Sequence, residues 1–429
     1  MRRAIADPPA DPGALQERRY DTKVPATRSE AQRDRDRILY SSALLRLGNV
    51  TQVVSPEVGH IFHSRLTHSL KVSQVAKRLA ERLLTLRHTG VAAMAVGALD
   101  PDAVEACALA HDLGHPPFGH LAEQELDTKA ETFGGFEGNA QSFRILTRLA
   151  VRGVPDPGLN LTRQTLNGVQ KYPWLRHLDD PDKASKWGAY DADREDFAWV
   201  REHCGGSDAA CLEARIMDWA DDLTYAVHDM DDFYRAGLIP LDSLCRGDDE
   251  LSAFKAYLEI KEPDAVHVAD RVFSALGVTR YEGRVRERAQ LRQLGSLLIT
   301  RYLNAFHVVE GDNGADVEID DELSYQVAVL KRLIWFYIIE RPSLATVQAG
   351  QRLIIRELVD LYMTAVDDNS NRSLLGPLYA ERLDAAETDG ARRRVVIDLV
   401  ASMTEDSALE VYRRALGTVP GSVLAAPHV

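Results

Sequence analysis

Apolar residues in this chain recur at helical spacing, and that periodicity constrains the fold more than any other feature. Val72, Val75, Ala76, Leu79 and Leu83, following Leu66, fall at i, i+3, i+4, i+7 and i+11, one face of a helix. Asp100-Pro101 reads as N-cap and first residue of a second helix, which runs through Val104, Cys107 and Leu109 to Gly114. A third spans Leu212 to Tyr234. Further helical patterns run from Leu291 to Phe306, from Leu323 to Ile339 ahead of the breaker Pro342, and from Thr346 to Val366. No run alternates well enough to predict a strand, so the expected fold class is all-α.

A chain of 429 residues is one large or two fused domains. Its 45% hydrophobic content supports a sizeable core, and its 27% charged residues place it away from disordered chains. The longest apolar candidate, Val91 to Leu99, stops at Asp100 and is too short to span a bilayer. Met1-Arg2-Arg3 is followed by Asp7-Pro8-Pro9 where an export signal needs an apolar stretch, so residues 1–20 are expected to be a flexible terminus. The tail 417–429 is expected to be flexible too. Cys107, Cys204, Cys211 and Cys245 lack metal or redox spacing, which makes the cytoplasm the expected location. Residues 152–208 carry Pro155, Pro157, Pro173 and Pro181 and read as an irregular excursion. The net charge of −14 argues against a dedicated nucleic-acid binder. A polyanionic small substrate is compatible with it, provided a metal ion is present.

The chemistry concentrates between positions 60 and 120, where seven of the thirteen histidines lie: His60, His63, His68, His88, His111, His115 and His120. His68 sits on the buried stripe of its helix, the place of either a core histidine or a ligand. His111-Asp112 ends a helix of small and apolar residues, and two polar groups there need a partner or cost a few kcal/mol of desolvation. Either a cation or backbone caps would serve. In the third helix Asp218, Asp221, Asp222, Asp229, Asp231 and Asp232 crowd together with only Arg215 and Arg235 at its ends. Asp221, Tyr225 and Asp229 share a face at i, i+4 and i+8 and would enter a common pocket, unless that face is simply solvated. Two imidazoles with two carboxylates suit Mn or Mg, and the same donors also accept zinc.

The order His68, His111-Asp112, distant Asp221 resembles the H…HD…D ligands of the HD-domain phosphohydrolases. Three strings narrow the likeness: Arg65-Leu66-Thr67-His68-Ser69-Leu70; Ala110-His111-Asp112-Leu113-Gly114-His115-Pro116-Pro117-Phe118-Gly119-His120; and Ala220-Asp221-Asp222-Leu223-Thr224-Tyr225-Ala226-Val227-His228-Asp229. These are similar to the dGTPase-type deoxynucleotide triphosphohydrolases, as are Arg28-Ser29, Arg33-Asp34-Arg35-Asp36-Arg37 and Thr51-Gln52-Val53.

That resemblance implies an HD-domain helical bundle with additional C-terminal helices: a catalytic core over 21–240, including 152–208, and a helical part over 241–416 completing the pocket and oligomer contacts. It implies a divalent metal, Mn or Mg before Zn, Co or Ni, on His68, His111, Asp112 and Asp221, with Asp222 the neighbour open to misassignment. It implies catalysis by His120 with Glu123 orienting it, phosphate contacts from His115, Arg65 and Lys171, and sugar contacts from Tyr225, Asp229 and Gln52. The implied reaction is hydrolysis of a dNTP to deoxynucleoside and tripolyphosphate, with room for a dGTP preference. The implied assembly is a homo-oligomer, a hexamer first, in which a second dNTP could act as activator. The rivals are an HD nucleotidase or phosphodiesterase and a dNTP-sensing oligomer without turnover.

Overall fold

The helix Pro101–Ala110 is buried from Ala103 onward except at Glu105, and it organises the half of the molecule that carries the histidines. Its alanines keep the backbone slim, so the helices Arg65–Thr85, Glu30–Leu39, Leu212–Thr224 and Arg163–Gly168 all pack against it. Asp100 caps it by accepting the Asp102 amide at 2.9 Å, with Pro101 at the first position, where no amide hydrogen is missed. The stripe Val72, Val75, Ala76, Leu79 and Leu83 is buried against it. Fully burying each larger side chain of that stripe contributes about 1.5–3 kcal/mol.

The computed structural model describes residues 1–9, 11–20, 27–52, 64–154, 156–312 and 314–417. His60, His63, Val53, Pro155 and all of the tail except Gly417 lie outside these. The molecule is predominantly helical, as the periodicity requires. Two large apolar clusters divide it. One joins the helices Arg65–Thr85 and Leu212–Thr224 to Val285–Leu303 and Asp321–Ile334. The other packs the helix His120–Ala130 against Pro342–Asp367, Gly376–Ala385, Asp389–Ala401 and Glu405–Ala415. Pro342 thus begins a helix as well as ending the helical run before it. No described helix is long and apolar enough to cross a membrane.

The all-α class holds, and two finer expectations are corrected: that no strand forms, and that residues 1–20 are a flexible terminus. A three-stranded antiparallel sheet in the order β1-β3-β2 stands among the helices, formed by β1 (Arg2–Ala4), β2 (Phe306–Gly311) and β3 (Gly314–Ile319). Each strand is short, but Phe306 and Val308 with Ala315, Val317 and Ile319 face the core on alternate positions. The N-terminus is the second. Arg2 to Ala4 pair with the free edge of β3, Ile5 is buried, and Arg3 donates to Asp218 at 3.2 Å. Backbone groups of β3 and one apolar anchor fix a segment that its charges and prolines made look frayed. The excursion 152–208 holds three short α-helices, Arg163–Gly168, Pro181–Ser185 and Arg194–Arg201, and seats Leu159, Leu161, Leu166, Val169 and Val200 in a third apolar cluster.

The charged string Arg33 to Arg37 is structural. Arg33 bonds Glu30 at 2.6 Å, Arg35 bonds Glu105 at 3.4 Å, and Arg37 bonds the Leu159 carbonyl at 3.1 Å. Asp34, fully buried, accepts from Arg18 at 2.5 Å and from the Thr162 amide and hydroxyl at 2.8 and 2.7 Å. Asp34→Ala takes one carboxylate from Arg18, which keeps Glu30 at 2.6 Å, and leaves the buried Thr162 amide and hydroxyl without that acceptor, so we expect a loss of about 1–3 kcal/mol, read as a lower urea midpoint. An unchanged midpoint would show that water replaces the pair without cost.

Candidate metal and active site

Asp112 follows the buried helix directly, and its carboxylate would be costly there without counter-charges. Arg65, first residue of the Arg65–Thr85 helix, gives Nη1 to Asp112 Oδ2 at 2.8 Å, and His115 Nδ1 lies 3.0 Å from Asp112 Oδ1. Burial alone would raise this carboxyl. His111, His115 and Arg65 outweigh that and hold it well below the usual carboxylate range. His115 itself is pushed down to about 4, by burial first and by Arg65 next, so it is neutral near pH 7.

His111 donates from Nδ1 to the Ala108 carbonyl at 2.7 Å, one turn back in its own helix. That bond assigns the proton to Nδ1 and leaves the Nε2 lone pair free. Nε2 is buried without a hydrogen-bond partner, 3.4 Å from Asp112 Oδ1 and 3.7 Å from Asp221 Oδ1. His68 Nε2 lies 3.0 Å from Asp221 Oδ1, and the ligand atoms of His68, His111 and Asp112 all fall within 4.8 Å of one another. An orphaned imidazole nitrogen facing two carboxylates and a second imidazole fits a divalent cation. Asp221 is kept ionised although burial opposes it, by the hydrogen bond with His68 and the charges of His111 and Lys171.

Asp221 and its neighbour are sorted by their partners. Asp222 turns away to Lys331 at 2.6 Å, whereas Asp221 Oδ2 lies 3.6 Å from Lys171 Nζ. Lys171 is anchored on Asp218 at 2.6 Å, and these acids raise its pKa well above the ordinary value against the pull of burial. The long acidic helix widens to a π turn over Tyr225–Asp229. Such turns are common at functional sites because they re-aim side chains. Asp229 Oδ2 is buried without a partner, and its carboxyl is raised well above the usual range by burial and then by Asp232. Burial first, and then the charges of Asp229 and Asp221, push the Tyr225 phenol above its ordinary range. Gln52 Oε1 is another buried acceptor without a partner.

A turn leads from these groups to His120. Gly114 packs so tightly that a Cβ would lie 2.1 Å from the Gly138 carbonyl oxygen, and Gly119 has φ 63° beside Arg65. His120 opens the helix His120–Ala130, its side chain 71% exposed, and gives Nδ1–H to Glu123 Oε2 at 2.8 Å. Its Nε2 is left toward the open side. The rings of His115 and His120 are 5.3 Å apart, centre to centre. Glu123 Oε1 accepts from Lys186 at 3.0 Å and the Gly138 amide at 3.2 Å. With His120 and Lys186 beside it, Glu123 is held well below the carboxylate range despite burial. No motif marks Lys186, which comes from the irregular excursion and bridges Glu123 to Glu137, the latter at 2.9 Å.

Comparison with known proteins adds independent findings. The family model of the HD domain matches residues 65–158, and that of the phosphohydrolase-associated domain matches 317–414. Proteins named deoxyguanosinetriphosphate triphosphohydrolase-like are similar over nearly the whole chain. That of Streptomyces coelicolor is 37% identical over 95% of this chain and 98% of its own. That of Corynebacterium efficiens is 35% identical over 91% and 92%, and that of Bifidobacterium longum 31% identical over 93% and 86%.

Metal content separates the two neighbouring aspartates. Asp221→Ala should lower affinity for divalent metal by at least about 10–100-fold, the range for losing even an outer partner of a ligand. Asp222→Ala, whose carboxylate is tied to Lys331, should keep it. The opposite order in elemental analysis of the purified variants would move the site to Asp222.

Proposed function

We propose a function from one premise: the chain belongs to the deoxyguanosinetriphosphate triphosphohydrolase-like family of HD-domain proteins. Its reaction, in our reading, is hydrolysis of a deoxynucleoside triphosphate to the deoxynucleoside and tripolyphosphate. Water attacks the α-phosphorus, the bond from phosphorus to the 5′ oxygen breaks, and that oxygen leaves with a proton. The observation that carries this is the juxtaposition of the unpaired His111 Nε2, facing Asp112 and Asp221, with an exposed His120 backed by Glu123.

His68, His111, Asp112 and Asp221 would hold a divalent ion, which when bound supplies Lewis-acid polarisation of the phosphate. The other roles fall to side chains of this chain. His120 delivers the proton from Nε2 to the departing 5′ oxygen, and Glu123 holds its ring and supports the charge that the ring carries. In-line displacement puts the attacking water on the far side of phosphorus, so a single imidazole does not serve both. Lys171 and Arg65 bring positive charge to the phosphates, each restrained by an aspartate so that it is positioned before substrate arrives. His115, neutral, offers a nitrogen without drawing phosphate away from the cations. Asp229, with Tyr225 beside it, bonds the sugar 3′-OH, and the Tyr225 ring crowds C2′ against a ribose. Gln52, with its unpaired oxygen, is a further sugar contact.

Incubation with each dNTP, alone and mixed, with Mn or Mg, tests the reaction by its products. Tripolyphosphate and deoxynucleoside should appear in equal amounts, and ribonucleotides should react more slowly. Pyrophosphate or orthophosphate as the first product would replace this chemistry by another of the HD superfamily. The mixed incubations also show whether one dNTP activates the hydrolysis of another.

His120→Ala should lower turnover by about 10²–10⁴-fold while bound metal and substrate affinity stay nearly unchanged. Glu123→Ala should cost the same or less, and the double variant no more than His120→Ala if the two act as one unit. Loss of metal from His120→Ala would recast it as a ligand.

A further inference from the structure

Glu405 is the first residue of the helix Glu405–Ala415, in the C-terminal layer and remote in sequence from every candidate site residue. Its carboxylate reaches into two turns of the site at once. Oε1 accepts from the Thr51 amide at 2.8 Å and from the Phe118 amide at 3.2 Å, while Oε2 accepts from the Thr51 hydroxyl at 2.7 Å. Both turns matter to the placement of functional side chains. Thr51 precedes Gln52 and bridges to Ser64, whose hydroxyl caps the helix that opens with Arg65 and His68. Phe118 stands two residues before His120.

Phe118 also needs holding. It is one of two described non-glycine residues with positive φ, at 66°, and Gly119 follows at 63°. A side chain in that region persists only where its surroundings over-determine it. Glu405 ties the Phe118 amide, and the Phe118 ring packs on the C-terminal apolar cluster. Arg46 makes a parallel link, donating to the Met403 carbonyl at 3.0 Å and to the Leu113 and His115 carbonyls at 2.8 and 2.7 Å. One segment, 403–405, therefore touches both flanks of the site.

We propose that Glu405 is a positioning residue for the reaction: it sets the Thr51–Gln52 and Phe118–Gly119 turns in mutual register, so that His120 stands correctly against the His68 end of the site. This rests on the dNTP hydrolysis proposed above. The network needs acceptors more than charge. A glutamine can accept both amides at Oε1 and donate from Nε2 to the Thr51 hydroxyl, which accepts once its hydrogen rotates away.

The test compares Glu405→Ala, Glu405→Gln and Thr404→Ala, the last removing a helix cap on Ser407 without freeing either turn. Glu405→Ala should lose about 10–100-fold in kcat, in keeping with the cost of a 1 Å misplacement. Glu405→Gln should recover most of it, and Thr404→Ala should keep kcat despite a lower Tm. Full kcat in Glu405→Ala, no recovery in Glu405→Gln, or an equal loss in Thr404→Ala would overturn the proposal. If Glu405→Ala does not fold, Thr51→Val removes the Oε2 bond alone and must lower kcat for the proposal to stand. Amide exchange of the peptides covering 50–52 and 115–121 gives a readout independent of turnover. Exchange should quicken in Glu405→Ala, or in Thr51→Val where that replaces it, and not in Thr404→Ala; no change would overturn the proposal. If the wild-type protein hydrolyses no dNTP, the proposed function fails, and exchange alone decides whether Glu405 holds the turns.

Discussion

A buried carboxylate at the end of an apolar helix cannot stand alone, and much of the site follows from how Asp112 is compensated. The helix before it is slim enough to be enclosed on several sides, which removes water from its C-terminal end. Arg65 answers the charge at Oδ2, and His115 and His111 answer it at Oδ1. That requirement fixes the N-terminus of the Arg65–Thr85 helix against the Asp112 turn, and with it His68, one turn further along. A cation between His68, His111, Asp112 and Asp221 would meet the lone pairs that the protein leaves unmet. Without one, His111 Nε2 bears the cost of an unsatisfied buried acceptor.

The sequence made some of this legible and hid the rest for physical reasons. Helices with a buried stripe show at their own period, so Arg65–Thr85 and the Leu212 helix could be read within a residue or two. The short strands β2 and β3 carry only two or three inward residues each, too few for a period-two signal, and β1 exists only because β3 offers it an edge. His111, Asp112, His115 and His120 lie within one short string, so their proximity needed no tertiary knowledge. Spacing put Asp221 on the face of Tyr225 and Asp229 but said nothing of where Asp222 goes. The partner of Asp222 is Lys331, far along the chain. Lys186 and Glu405 bear on the site through long-range contacts that no local pattern encodes.

The C-terminal layer supports the helix that carries His120. Its apolar cluster includes Ala122, Leu126 and Ala130, so the helix that begins with His120 has its opposite face sealed in that layer. A side chain at the first turn of a helix is only as well placed as the helix itself. Packing along its length fixes the axis, while the amide bonds of the preceding turn fix rotation and height. Here both come from the same set of C-terminal helices, which ties the geometry of His120 to residues more than two hundred positions away.

His115 and His120 show how one short turn supplies two chemistries. Their rings are close, yet burial and the nearby Arg65 hold His115 neutral, while His120 projects to the open side with a carboxylate behind it. Glu123 can play that part only if it stays ionised in a buried place. Lys186 lies between Glu123 and Glu137 and serves both, and two carboxylates so near one another do not ionise equally. Glu123, with His120 as a second partner, takes the charge, and Glu137 is raised by burial and by Glu123 itself. Glu123 Oε1 is taken by Lys186 and the Gly138 amide, and Oε2 faces His120, where it holds the Nδ1 proton in place and leaves Nε2 free to exchange one.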